Sequence, residues 1–130
     1  MATWADVRRV ALALPESAET IVRGTDAWKV RGVMFVWDRP LRKADAEALG
    51  DAAPDGPVLG ARVANLEAKD ALIAEDPEVY FTIPHFDGYP AVLVRLEEIK
   101  TQDLSDLIIE AWLCRAPKRV AAAYLKGSAR

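Results

Sequence analysis

Cysteine and histidine are the scarcest chemically reactive residues of this 130-residue chain, which contains one of each, Cys114 and His85. A single cysteine forms no internal disulfide, and this excludes the disulfide-framed class of small secreted folds. One cysteine and one histidine also cannot supply the four ligands of a structural zinc site. The sequence therefore predicts no metal centre.

Long apolar runs and phosphate-binding glycine motifs are absent as well. No stretch approaches the roughly 18 uninterrupted apolar residues that a membrane span needs, and residues 1–6 lack the basic and apolar regions of a signal peptide. The seven glycines form no Walker or dinucleotide-binding fingerprint. The acidic stretch that begins at Asp45 fails as a calcium loop, because Gly56 stands where a bidentate Glu is required. We therefore expect a cytoplasmic protein with no membrane partner and no cofactor.

Hydrophobic residues are plentiful, at 52% of the chain, a fraction normal for a globular protein and too high for a disordered one. At this length one compact domain over residues 1–130 is expected, with enough chain to bury a core. The spacing of apolar residues and the positions of Pro and Gly predict the elements of that domain. The predicted helices cover residues 4–14, 41–49, 66–75, 103–115 and 118–125, and the predicted strands cover 19–23, 27–31, 33–37, 58–63, 79–83 and 91–96.

The order of these elements predicts an α+β fold rather than a doubly wound one. One helix precedes three strands, an insertion and a fourth strand follow, and a helix, two strands and the last helices complete the chain. Because short turns join sequential strands, we expect a two-layer arrangement in which a mainly antiparallel sheet carries helices on one face.

Catalytic candidates are few. His85 lies two residues before Asp87, which could orient the imidazole ring and raise its basicity in a general base. A nucleophilic enzyme also needs a Ser, Cys or Thr beside that histidine, and the sequence indicates none. Cys114 lies in a predicted helix beside Leu113, where a small buried residue is expected. We expect a non-enzymatic protein, and a hydrolase centred on His85 and Asp87 is the least favoured alternative.

Positive charge is concentrated at the two ends of the chain. Residues 1–43 hold 8 Lys/Arg against 5 Asp/Glu (+3), residues 44–110 hold 4 against 15 (−11), and residues 111–130 hold 5 against none (+5). Lys29 and Arg31 are predicted to share one face of a strand in a hairpin, and Lys118 and Arg119 follow the break before the last helix. Basic residues in such places can contact nucleic-acid phosphates, and the alternative is an ordinary solvated charge cluster.

Several motifs resemble the MmcQ/YjbR family. Its signature is similar to residues 81–96, which read FTIPHFDGYPAVLVRL, and its C-terminal motif is similar to EAW at 110–112 followed by RAPKR at 115–119. Residues 4–8 (WADVR) and 12–16 (LALPE) resemble its first helix, and residues 39–41 (RPL) and 49–54 (LGDAAP) resemble a longer-loop branch.

The resemblance implies a compact CyaY-like or secretion-chaperone-like α+β fold with the element order read above. It also implies DNA binding through a double wing, without established catalytic activity, so it supplies no catalytic residues. Iron binding of the frataxin type is not expected, because Arg8 and Arg9 stand beside Asp6 in the first helix.

Two hypotheses follow. The first is a DNA-binding domain with weak sequence preference, in which Lys29, Arg31, Lys118 and Arg119 contact phosphates. The alternative is a protein-interaction or small-ligand module, which forms a homodimer or holds a small molecule. In that case the ligand or interface loop is residues 84–90, through His85, Phe86, Asp87 and Tyr89.

Overall fold

The first helix begins at a capping box that the sequence encodes locally. The backbone N–H of Asp6 donates to the hydroxyl of Thr3, and the Asp6 carboxylate accepts from the backbone N–H of Thr3 at 2.9 Å. Two of the unpaired donors at the start of a helix are thereby satisfied. The structure is a computed structural model that describes residues 2–128.

Short turns then connect strands and helices in nearly the order that the sequence predicts. The elements are α1 (Trp4–Leu12), β1 (Ser17–Val22), β2 (Thr25–Val30), β3 (Val33–Asp38), α2 (Lys43–Leu49), β4 (Val58–Arg62), α3 (Leu66–Glu75), β5 (Tyr80–Phe81), β6 (Ala91–Arg95), α4 (Thr101–Arg115) and α5 (Lys118–Ser128). Single 3₁₀ turns occupy Gly50–Ala52 and Pro84–Phe86. No helix among residues 2–128 is long and apolar enough to cross a membrane.

The strands of the described chain form one six-stranded sheet in the order β1-β2-β3-β4-β6-β5, and every neighbouring pair is antiparallel. The predicted α+β class and its antiparallel sheet are thus confirmed. In this order β4 lies between β3 and β6, so the start of β4 meets the segment after β3 and the end of β4 meets the loop before β6. This neighbourhood builds the site described below.

Two differences from the sequence prediction have local causes. The hairpin between β2 and β3 turns at Arg31 and Gly32, both with positive φ (48° and 80°), as a two-residue hairpin turn of the favoured twist requires. Arg31 therefore lies in a turn and does not share a strand face with Lys29, so that expectation was wrong. Strand β5 is reduced to two residues, because the Val79 N–H bonds back to Asp76 O and the 3₁₀ turn follows from Pro84.

The main core lies between the sheet and the face that carries α1, α3, α4 and α5. Trp28 of β2 and Trp112 of α4 are its largest fully buried side chains. Both indole N–H groups are satisfied, by Glu19 Oε1 at 3.0 Å and by Pro15 O at 3.1 Å respectively. Burial of these rings is therefore not offset by an unpaired donor.

A second, smaller core lies on the opposite face of the same sheet. It contains Trp37, Phe81, Ile83, Phe86 and Leu93 among its buried residues. Leu41 and Leu49, at the two ends of the α2 segment, pack against it. The long helices thus cover one face as expected, and the short α2 with the 3₁₀ turn covers the other in addition.

Candidate ligand-binding site

A cavity of about 630 Å³ is lined by residues of β3, the segment that follows β3, the end of β4 and the loop between β5 and β6. Its aromatic wall consists of Trp37, His85, Phe86 and Tyr89. Five arginines line it as well, namely Arg23, Arg39, Arg42, Arg62 and Arg115. Its volume lies in the range of roughly 300–1,000 Å³ typical of small-molecule sites. We call this cavity the arginine pocket.

Arg39 is the most buried of these cations, at 9% exposure. Its backbone N–H donates to Val58 O at 2.9 Å, so strand β4 positions the residue that follows β3. Its Nη1 donates to Pro40 O at 2.6 Å, and its Cζ lies 5.5 Å from the Phe86 ring centroid. Its Nη2 lies 3.2 Å from Asp45 Oδ2, yet in a geometry that makes no hydrogen bond. A buried guanidinium group thus retains an unused donor.

Arg62 and Arg115 end two elements that meet beside the pocket, β4 and α4. The Arg62 Cζ lies 4.6 Å from the centroid of the Tyr89 ring, a cation–π contact. The Nε atoms of both arginines are buried and have no hydrogen-bond partner. Buried donors of native proteins are rarely left unpaired. Three arginines of the pocket therefore have spare donors.

One carboxylate is present among the described residues of the pocket lining, that of Asp38. Burial raises its pKa, and the nearby Asp26 carboxylate raises it further. Five arginines line the pocket against this one carboxylate. The pocket is accordingly cationic.

The loop of residues 84–90 is held over the pocket from the far side by Lys69 of α3. This lysine is 4% exposed, and its Nζ donates to Phe86 O at 2.6 Å and to Tyr89 O at 3.0 Å. Gly88, with φ of +72°, lets the loop turn back between these two carbonyls. Burial lowers the pKa of Lys69, and the Asp87 and Asp70 carboxylates partly oppose that effect.

The aromatic side chains of the loop pack on one another and on β3. The Phe86 ring lies 6.3 Å from Trp37, 4.9 Å from His85 and 6.1 Å from Tyr89, measured between ring centroids. Phe86 is buried, whereas Tyr89 is 46% exposed at the mouth of the pocket. The site thus combines a fixed aromatic wall with cations on several sides.

Comparison with known proteins decides the family. The family model described as YjbR matches residues 12–114, which include the loop and most of the pocket. The chain belongs to the YjbR family. Uncharacterized proteins Rv2570 of Mycobacterium tuberculosis and Mb2600 of Mycobacterium bovis are each 52% identical to it, over 98% of this chain and 99% of theirs.

One solved structure is also similar to this YjbR family chain. The crystal structure of Deinococcus radiodurans protein DR2400, a DUF419 domain, superimposes with a TM-score of 0.66 and 23% sequence identity. The match covers 87% of this chain and 78% of that one. At this identity the likeness establishes a shared fold.

The YjbR signature loop contributes three of its four candidate residues to the pocket. His85, Phe86 and Tyr89 line it, whereas Asp87 does not and instead acts electrostatically on Lys69. No hydrogen bond joins His85 to Asp87 in the described part of the chain, so the expected orientation of the ring by that carboxylate is absent there.

The four residues predicted to contact DNA are not brought together on one surface. Lys29 pairs across the sheet with Met34, which packs against the smaller core, so Lys29 lies on the α2 side. Lys118 and Arg119 belong to α5 on the other side. Arg31 and Arg119 line one shallow groove, but the Arg31 Nε is paired with Glu16 Oε1 at 2.6 Å.

Cys114 is exposed, which corrects the expectation of a small buried residue. It lies at the outer side of α4, where it lines a different cavity from His85. Desolvation and the Glu110 carboxylate raise the pKa of its thiol, against the opposing effects of Arg62 and Arg115. A raised pKa makes the thiol a poorer nucleophile.

Sequence reasoning missed the arginine pocket, because its five arginines are separated by up to 92 positions along the chain, from 23 to 115. The sequence did contain a partial signal of this pocket. Arg39 and Arg115 each begin a segment that resembles a family motif, and the loop residues 84–90 lie within another such segment, residues 81–96. Motif residues that lie far apart in sequence often converge at one site. The convergence of these three segments could therefore have been predicted as a hypothesis.

Proposed function

We propose that this YjbR family protein binds a small anionic ligand with a planar, apolar body in the arginine pocket. The observation that carries the proposal is the group of arginines with unused buried donors around an aromatic-lined cavity. The guanidinium fork matches carboxylate and phosphate oxygens in pairs. This function develops the small-ligand alternative of the sequence analysis.

The aromatic wall and the arginines would contact different parts of the ligand. Trp37 and Tyr89 offer ring faces to the planar part of a ligand, and Arg62 and Arg115 offer N–H groups to its acid group. Burial of the acid group in such a place is favourable because the cations are already desolvated and fixed by the fold. An uncharged analogue would leave those donors unpaired.

Calorimetric titration with adenosine monophosphate, benzoate and the uncharged parent adenosine tests this function. The two anions are expected to bind, and adenosine is expected to bind at least about tenfold more weakly, because each lost charge-assisted hydrogen bond costs about 1.5–3 kcal/mol. Arg62→Gln with Arg115→Gln should weaken anion binding by a similar factor.

The matched control removes two cations from another surface, with Lys118→Gln and Arg119→Gln in α5. It should leave the dissociation constant within about twofold, because exposed charges contribute little at a distance. Equal weakening in both double variants, or failure of both anions to bind wild type, would rule out a dedicated pocket.

DNA is a second candidate, for which the same pocket provides a specific argument. Single-stranded nucleic acid is bound by cationic grooves with aromatic rings on which bases stack. Arg23 and Arg42 are exposed beside the half-exposed Tyr89 ring at the pocket. We infer that any DNA contact involves this surface in addition to, or in place of, Lys29, Arg31, Lys118 and Arg119.

Fluorescence anisotropy with labelled single-stranded and duplex oligonucleotides separates these surfaces. The logarithm of the binding constant should fall linearly with the logarithm of salt concentration. Loss of binding in Arg23→Gln/Arg42→Gln places DNA at the pocket, and loss in Lys118→Gln/Arg119→Gln places it at α5. Absence of binding to either oligonucleotide at about 50 mM salt excludes the DNA candidate.

A further inference from the structure

A second cavity, of about 610 Å³, lies between α3 and α4 on the helix-covered face of the sheet. Leu72 of α3 and Leu107 of α4 contribute apolar walls, together with Ala68 and Ala71. Arg62 also lines this cavity, so it stands between it and the arginine pocket. We call the cavity the acidic groove because Asp and Glu side chains line it.

Five carboxylates line the acidic groove. They are Glu75 and Asp76 at the end of α3 and Asp103, Asp106 and Glu110 of α4. None of the five forms an ion pair with another residue of the described chain. The described lining of the groove thus holds five carboxylates against one cation, Arg62.

Tyr80 provides an independent sign of a ligand. Its side chain is only 8% exposed and lines the groove from β5. Its hydroxyl makes no hydrogen bond to any of residues 2–128, although hydroxyl groups of buried tyrosines usually find a partner. A buried side chain that lines a cavity and whose hydroxyl has no protein partner favours a bound polar partner there.

The spacing of the acidic residues on α4 favours binding of an extended cation over binding of a compact one. Asp103, Asp106 and Glu110 are separated by three and four positions, so they lie about 4.5 Å and 6 Å apart along the helix axis. Carboxylates that are spread along a helix axis in this way cannot all coordinate one ion. In agreement, residues 2–128 contain no group of three or more His, Cys, Asp or Glu side chains that could hold a metal.

We propose that the acidic groove binds a linear aliphatic polyamine. Its ammonium groups would lie along Asp103, Asp106 and Glu110, since successive nitrogens of such a chain are spaced comparably with these carboxylates. Its methylene segments would cover Leu72 and Leu107, where apolar contact is favourable. The site is separate from the arginine pocket and does not depend on the function proposed for it.

Tyr80 and Arg62 set the position of the polyamine in the groove. Burial and the carboxylates of Asp103 and Asp76 raise the pKa of Tyr80 to about 12, so its hydroxyl stays neutral and accepts a hydrogen bond from an ammonium group. Arg62 repels a cation from its own end of the groove. The ligand should therefore lie toward Asp103 rather than toward Cys114.

Calorimetric titration of the full chain with spermidine tests this site, with butylamine as a monoamine and magnesium chloride as a compact divalent cation. Spermidine is expected to bind saturably at one site, and butylamine at least about tenfold more weakly, because it engages one carboxylate instead of three. Asp106→Asn with Glu110→Gln should weaken spermidine binding about tenfold.

Tyr80→Phe, which keeps the ring, should weaken spermidine binding about threefold to tenfold through loss of one hydrogen bond. The matched control removes two exposed acids elsewhere, with Glu47→Gln and Asp51→Asn, and should change the affinity by less than about twofold. Circular dichroism confirms that each variant is folded.

Three results would overturn the polyamine site. The first is the absence of saturable spermidine binding. The second is equal weakening in the groove variant and in the control, which would indicate attraction by net charge alone. The third is a lysine-rich peptide or magnesium that binds the groove while spermidine does not.

Discussion

Lys69 illustrates how a single buried side chain can position the whole signature loop. Its buried ammonium group donates hydrogen bonds to two carbonyl oxygens, Phe86 O and Tyr89 O, which lie on either side of Gly88 in the sequence. Burial opposes the charge, as the lowered pKa records, and the two charge-assisted hydrogen bonds offset that cost. The aromatic wall of the arginine pocket thus depends on a residue outside it.

Replacement of Lys69 by Met should destabilise the protein and loosen the loop. The apolar stem still fits, but two carbonyls lose the ammonium donor and each keeps one backbone N–H donor, so we expect a cost of about 0.5–1.5 kcal/mol for each hydrogen bond lost. Urea unfolding followed by fluorescence measures this cost, and calorimetry should show weaker anion binding. Lys126→Met, at an exposed position of α5, is the control and should change stability by less than about 0.5 kcal/mol. Equal stability of the two variants would contradict this role.

Tyr80 makes stability depend on pH in the alkaline range. Its pKa is raised to about 12 in the folded protein, against 10.0 for the free group, so the folded state binds more protons between those values. The free energy of unfolding should therefore fall as pH rises above 10. Relative to Tyr80→Phe, wild type should lose about 1.4 kcal/mol by pH 11.

Urea unfolding of wild type and Tyr80→Phe at pH 8, 9, 10 and 11 provides the comparison. Near neutrality the two proteins should have similar stability, because the hydroxyl that is removed has no partner. Parallel pH profiles would show that Tyr80 ionises as freely in the folded protein as in the unfolded one.

At the scale of elements, the contact between β3 and β4 fixes the floor of the arginine pocket. Gly60 of β4 pairs with Trp37 of β3, and the indole ring lies across the glycine. A methyl group at Gly60 would lie 2.4 Å from Trp37 Cε2, which is far inside normal contact. The absence of a side chain at residue 60 is thus what lets Trp37 face the pocket.

Gly60→Ala should force the Trp37 ring to move, at about 1–3 kcal/mol of stability, as overpacking usually costs. Anion binding should weaken at the same time, because Trp37 lines the pocket. Gly127→Ala in α5 is the control. A methyl group there meets open space, and alanine favours a helix, so stability should be unchanged or slightly higher. An unchanged unfolding midpoint together with an unchanged tryptophan fluorescence spectrum in Gly60→Ala would contradict the clash.

Prediction of the elements from sequence succeeded where local signals are strong. Thr3 and Asn65 cap α1 and α3 as expected, and each side-chain oxygen accepts a backbone N–H three positions on. Prediction was less accurate at Arg31 and at β5. In the hairpin the turn geometry overrides the alternation of the strand, and at β5 the flanking turns shorten an edge strand that has a single neighbour.

At the scale of the whole molecule, one sheet carries two cores. Trp28 belongs to the core under the long helices and Trp37 to the smaller core, although both tryptophans lie on adjacent strands of the same sheet. Because the two cores share their strands, neither face should unfold while the other remains folded. Measuring whether the two cores unfold together therefore also tests the prediction, made from the chain length, of a single domain.

Ile83→Ala in the smaller core should lower the stability of the whole protein by about 2–4 kcal/mol, since Ile83 is 1% exposed. The urea midpoints from tryptophan fluorescence and far-ultraviolet circular dichroism should coincide in wild type and shift together in the variant. Separate transitions would show that the smaller core with α2 unfolds by itself. The homodimer stays a prediction, which light scattering against the 14.3 kDa chain mass can test.

The sequence by itself determined the elements, the α+β class and the motifs of the YjbR family. Those properties depend on hydrophobic spacing, caps and turns within a few residues of one another. Only the tertiary structure decided that Arg39, Arg62 and Arg115 converge beside the loop of residues 84–90, and that five carboxylates without an ion pair line one groove. The physical reason is that charges interact through space, and their proximity depends on strand order and helix packing rather than on local spacing. The net charge of −3 therefore does not reveal that the chain carries both a cationic pocket and an anionic groove, each lined by Arg62.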